Sequence, residues 1–181
     1  MAGAEDRWLF RYTEDPTEQT SKLLGKPNPV RPIVTVSLTH LGETTLRVTA
    51  LVDSGSERVF AAPALWRELN LDLRSAPETT IGLGGGRRRV RFKTVGIQLY
   101  RDLMTSDDKP LTEWEADVAF IMDNWEPPWA VLLGRDGFFN KFTVTMHGGV
   151  PAMVVEPWDA FDKRFGIEIA DAPTSQPRFR P

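Results

Sequence analysis

Asp53 closes an apolar run, Ala50-Leu51-Val52, and is followed at once by Ser54, Gly55 and Ser56. A carboxylate held at the end of a buried strand can take or give a proton at one set point, as general acid–base chemistry requires. Gly55 lets the backbone turn sharply, and the two hydroxyls can hydrogen-bond around the carboxylate and its loop. In isolation the segment reads more economically as an Asx turn at a strand end. Neither Asp107 nor Asp136 ends an apolar strand with the same full turn, so one chain offers one such carboxylate. The two histidines, His40 and His147, stand in no Ser or Asp triad pattern. The chain has no cysteine, which excludes disulfides and thiolate metal sites and fits a reducing compartment.

Two further segments carry unusual chemistry. Gly84, Gly85 and Gly86 separate alternating runs at 78–83 and 89–100, and so mark a hairpin turn. A phosphate-cradling loop is a poor reading, because no Lys-Ser/Thr follows. Arg87, Arg88 and Arg89 come next; such a run is most often a solvated face. Later, Val131-Leu132-Leu133 runs into Gly134 and Arg135, and a short helix is expected there. Glu57 follows the Asp53 turn.

The elements that must position these residues are mostly strands. Residues 33–39 and 44–52 alternate in polarity about the turn Leu41-Gly42-Glu43, which predicts a hairpin with Leu46, Val48, Ala50 and Val52 buried. Further strands are expected at 114–122 and 142–147, and short helices at 63–69, where Pro63 suits a first turn, and at 158–165. The proline-broken stretch 1–30 reads as an irregular leader in which Trp8, Leu9 and Phe10 dock onto the body; 148–181 reads as a C-terminal extension with a frayed tail. Trp125 and Trp129 bracket two prolines in a rigid loop expected to pack on the core.

Bulk properties frame this. The 181 residues are 41% apolar and 26% charged, ordinary for a globular protein, and the net charge of −3 calls for neither nucleic acid nor an anionic membrane. The N-terminal stretch is charged and lacks the apolar core of a secretory signal, and no apolar run approaches the roughly 20 residues of a membrane helix, so the expected location is cytoplasmic.

Three segments in order, ALVDSGS at 50–56, IGLGGGRRRVRF at 81–92 and VLLGRDGFF at 131–139, resemble the retropepsin family of aspartic peptidases over about 31–147. The resemblance implies an all-β fold, a closed antiparallel β-barrel with a flap hairpin and short helices, paired as a homodimer. It makes Asp53 the catalytic aspartate, sharing one proton with its twin, and makes Gly84, Gly85 and Gly86 the flap tip. Ser54 becomes the hydroxyl that ties the two active-site turns together, a position where threonine is commoner. Glu57 and Arg135, beside Gly134, would pair as structural support. No metal or cofactor is implied, and the expected substrate is an extended polypeptide, the chain's own termini among the candidates. The alternative is a retropepsin fold kept for peptide binding or dimerisation, with hydrolysis weak or lost. Arginines on the flap would favour acidic side chains; an oligonucleotide-binding role for 87–91 fits the net acidity poorly.

Overall fold

β-branched and aromatic residues dominate the alternating segments, and these are the strands of the computed structural model. It describes residues 7–14, 23, 25, 29–83, 85–103, 109–125 and 129–165. In chain order the strands are Trp8–Arg11 (β1), Thr13–Glu14 (β2), Val30–Arg31 (β3), Ile33–His40 (β4), Glu43–Thr44 (β5), Val48–Val52 (β6), Val59–Ala61 (β7), Glu78–Leu83 (β8), Gly86–Tyr100 (β9), Thr112–Ile121 (β10), Val131–Leu133 (β11), Phe142–His147 (β12) and Ala152–Pro157 (β13). Helix Pro63–Glu68 (α1) follows β7, and Trp158–Phe165 (α2) follows β13.

Strands β4, β6, β11, β7, β10 and β9 pair in that order, and β9 pairs back onto β4 to close a six-stranded barrel. Closure removes the free edges that an open sheet would expose. Most pairs are antiparallel; β6 with β11 and β7 with β10 are parallel. Val36, Leu38, Ile97, Leu99, Val118, Phe120 and Leu133 fill the interior and are fully enclosed. Each such side chain contributes about 1.5–3 kcal/mol on leaving water. A second apolar cluster, built on Phe60, Val90, Ala119, Ile121 and Leu132, takes Ile81, Leu83 and Phe92 as its margin, with Trp125 and Trp129 packed against it as expected.

The hairpin at 33–52 departs from simple alternation. Thr39 pairs with Thr44, yet Val36 pairs with Val48, so three residues on one strand face two on the other. This bulge re-aims the chain. The Thr45 N–H donates to the Leu38 carbonyl, its hydroxyl accepts the Leu38 N–H, and the Leu46 N–H donates to Glu68. Ala50 and Val52 are buried and Val48 is half-buried as a result, but Leu46, expected in the core, is 76% exposed.

The docking expected of Trp8, Leu9 and Phe10 holds for two of the three, while Leu9 is exposed. Trp8 and Phe10 are buried, because β1 pairs with β13 of the expected C-terminal extension, and β13 pairs with β12. An aromatic cluster joins this three-stranded sheet to the barrel: Phe142 packs edge-on against Trp114 at 4.9 Å and Trp8 at 6.2 Å, and tilted against Phe138 at 5.2 Å. The short helix expected after Gly134 is instead a run of turns. Gly137, at φ 106°, interrupts any helix there, and its carbonyl accepts the Trp114 indole N–H.

Candidate active site

The parallel pairing of β6 and β11 brings two loops side by side. Ala50 stands opposite Val131, and Val52 opposite Leu133, so the strands end together, one at Asp53 and the other at Gly134. The Asp53 N–H continues the ladder by donating to the Leu133 carbonyl at 3.1 Å. Asp53 is thereby fixed by a barrel strand, while its side chain remains half-buried at the surface.

The turn closes on itself. The Ser56 N–H donates to the Asp53 carbonyl, and the Gly55 N–H donates to Asp53 Oδ1 at 2.9 Å. An added β-carbon on Gly55 would stand 3.2 Å from that same oxygen, so glycine leaves the carboxylate room. Ser54 is exposed. Of the carboxylate and its loop, Ser56 serves the loop: its hydroxyl is buried and donates to the Arg58 carbonyl at 2.9 Å. It ties the turn to the chain that leads into β7.

The Gly134 loop locks onto this segment. The Arg135 N–H donates to the Ser56 carbonyl, the Asp136 N–H to the Glu57 carbonyl, and the Val59 N–H to the Asp136 carbonyl. The Glu57 and Arg135 side chains approach to 3.7 Å, with both exposed to solvent. The pair lies on the surface rather than beneath the turn. A closer ion pair, which sequence reasoning missed, joins Arg58 Nη1 to Asp136 Oδ2 at 3.0 Å. Only the juxtaposition of the two loops reveals it, because the partners share no local motif.

Asp53, Gly55, Ser56 and Arg58 line a cleft of about 430 Å³ together with Phe60, Ile81 and Leu83. The cleft thus has a carboxylate on one wall and the β8–β9 hairpin on the other. Leu83 pairs with Gly86 at the end of the hairpin, and Gly85 beside it has φ 76°. Gly84, the first residue of the expected tip, lies outside the described residues. Arg58 also stacks over the Phe92 ring at 5.5 Å, joining the segment after the Asp53 turn to the hairpin.

Neither histidine lines this cleft; His40 pairs with Glu43 at the first hairpin and His147 is exposed. A larger cleft of about 680 Å³, between Phe10, Ile33, Thr49, Asp102 and Trp129, shares no residue with it and lacks the Asp53 turn. Among the described residues no His, Asp and Glu cluster is arranged to hold a metal ion, and no helix is long and apolar enough to cross a membrane.

No family model and no curated protein matches the chain. Among solved structures the chain is similar to a retropepsin-like aspartic protease from Rickettsia conorii, with a TM-score of 0.51 and 10% identity, over 83% of this chain and 92% of that one. The likeness at this identity is one of fold: the chain has the retropepsin-like all-β architecture.

Proposed function

We propose that the chain is an aspartic endopeptidase whose active unit is a homodimer, with Asp53 of each subunit supplying half of a carboxylate pair. The observation that carries this reading is the placement of Asp53. It ends a barrel strand, its Oδ1 is held by the Gly55 N–H, and it faces a cleft walled by Ile81 and Leu83 of a glycine-tipped hairpin. The 181 residues hold one such turn, and in this reading a twofold-related copy brings the second carboxylate.

Two carboxylates at close range share one proton, because like charges cannot both ionise easily there. The ionised member takes a proton from a water whose oxygen attacks the peptide carbonyl carbon. The protonated member gives its proton to the carbonyl oxygen. The tetrahedral diol then collapses: the carboxyl that took the water's proton gives it to the leaving nitrogen as the carbon–nitrogen bond breaks, and a diol hydroxyl returns a proton to the other carboxylate. Ser54, exposed beside Asp53, would meet its twin across the axis of this dimer. The hairpin acts as the flap and the substrate lies beneath it in extended form, with Phe60, Ile81 and Leu83 taking apolar side chains.

Asp53→Asn tests this. The amide oxygen still accepts the Gly55 N–H, so the fold should persist, while general acid–base catalysis is lost. Hydrolysis of an unfolded polypeptide should fall by at least about 10²-fold. Undiminished cleavage by the variant would refute the assignment, and no cleavage by either protein would leave a retropepsin fold used for peptide binding.

A further inference from the structure

The arginines of the hairpin divide between its two faces, and only one of them shares a face with the cleft wall. Cross-strand pairing places Ile81 opposite Arg88, Leu83 opposite Gly86 and Thr79 opposite Val90, so these residues lie on one side. Ile81 and Leu83 of that side line the Asp53 cleft, and Val90 belongs to the second apolar cluster. Arg87, Arg89 and Arg91 alternate onto the other side. There Arg89 Nε donates to Asp123 at 3.1 Å, and Arg91 Nε donates to Glu78 at 2.6 Å.

Arg88 differs from its neighbours in what holds it. It is half-buried, and its Nε is enclosed with no hydrogen-bond partner among the described residues. A guanidinium is always charged and offers five donors in a fixed fork, so an enclosed N–H without an acceptor is costly. Asp123 does not supply the acceptor. Its carboxyl is held below the usual range first by the Arg89 N–H, and the charge of Arg88 is the last of the causes. Arg88 does not itself line the cleft; it stands beside Ile81 on the same face of the hairpin, so an extended ligand that runs along that face past Leu83 and Ile81 meets apolar side chains and then one under-used guanidinium.

We propose that Arg88 selects an Asp or Glu side chain on the extended polypeptide that lies between the β8–β9 hairpin and Asp53. The proposal rests on the reading of this cleft as a polypeptide groove. It assigns Arg88 to specificity, through a fork-to-carboxylate contact, and gives no part in the bond-breaking step to it.

A binding selection tests the assignment without relying on turnover. A library of short unstructured synthetic peptides is passed over immobilised Asp53→Asn protein, and the retained peptides are sequenced. The expected result is an enrichment of Asp and Glu at a fixed position, by about tenfold, the scale of one charge-assisted hydrogen bond. Adding Arg88→Gln should abolish the enrichment, Arg88→Lys should keep part of it, and Arg87→Gln should keep all of it. An enrichment that is absent, that survives Arg88→Gln, or that Arg87→Gln removes equally would overturn the proposal. Assaying the selected peptides with the wild-type protein separates the two readings. Bound but uncleaved acidic peptides would contradict the peptidase and keep Arg88's role. Equal cleavage of acidic and neutral peptides would do the reverse.

Discussion

Gly134 lies against the backbone of Arg58 so closely that a β-carbon on it would stand 2.2 Å from the Arg58 carbonyl oxygen and 2.8 Å from its nitrogen. The contact brings the end of β11 onto the segment that follows the Asp53 turn. Backbone cannot swing aside as a flexible side chain can. Gly134→Ala should therefore destabilise the fold by about 1–3 kcal/mol or more, lowering Tm by roughly 5 °C. Gly86→Ala, with nothing within 4 Å of its added carbon, is the control and should change Tm little. Equal thermal unfolding of the two variants would show that the loops are not locked as described.

Much of this site is legible in the amino-acid sequence alone. Asp53 at a strand end, the glycine hairpin and the apolar run into Gly134 are local patterns, and each sits where its residue types suggest. What alternation could not show is what a bulge does to it: residues 45–47 face two partners rather than three, and Leu46 turns to solvent. Nor does a local pattern reveal that Trp8 and Phe10 meet Met153 and Val155, because that pairing joins the two ends of the chain. The short helix failed for a local reason, the positive φ of Gly137, whose added β-carbon would stand 2.8 Å from Val59.

The hairpin tip should be sensitive at Gly85. Its φ of 76° lies in the left-handed region, which β-branched residues adopt at a cost of roughly 1–3 kcal/mol. Gly85→Val should strain the turn and lower turnover about tenfold or more if the hairpin must close over substrate. Near-wild-type kcat/KM in this variant would argue against a flap role.

A pH effect on stability is expected where Arg89 of the hairpin meets Asp123, just past the end of β10. Asp123 accepts the Arg89 N–H and guanidinium, and its folded pKa lies below its ordinary 3.8. A depressed carboxylate stabilises the fold above its unfolded pKa, and that stabilisation is lost as pH falls through the folded value. Asp123→Asn should therefore be less stable than the wild type at pH 7, and the gap should narrow below about pH 4. Denaturant unfolding at pH 7 and pH 3 measures both; a gap that stays constant would show that the contact is not charge-dependent.

The two ion pairs at the loops should contribute unequally and little. Glu57 and Arg135 are 80% and 63% exposed at 3.7 Å, whereas Arg58 and Asp136 meet at 3.0 Å with less exposure. Double-mutant cycles should give a coupling of about 0–0.5 kcal/mol for the first pair and up to about 1 kcal/mol for the second. A larger coupling for Glu57 and Arg135 would restore it as the main support of the turn.

The central claim is that two subunits share one catalytic pair. Mixing tests it most directly. Wild-type protein is held at fixed concentration while Asp53→Asn protein is added in increasing excess, with time for subunits to exchange, and initial rates of peptide hydrolysis are followed. If each active unit needs Asp53 from both chains, mixed dimers are inactive, and the rate should fall toward zero as the variant captures wild-type subunits. A rate per wild-type subunit that stays constant across the titration, with exchange verified by tagged subunits, would contradict a shared Asp53 pair.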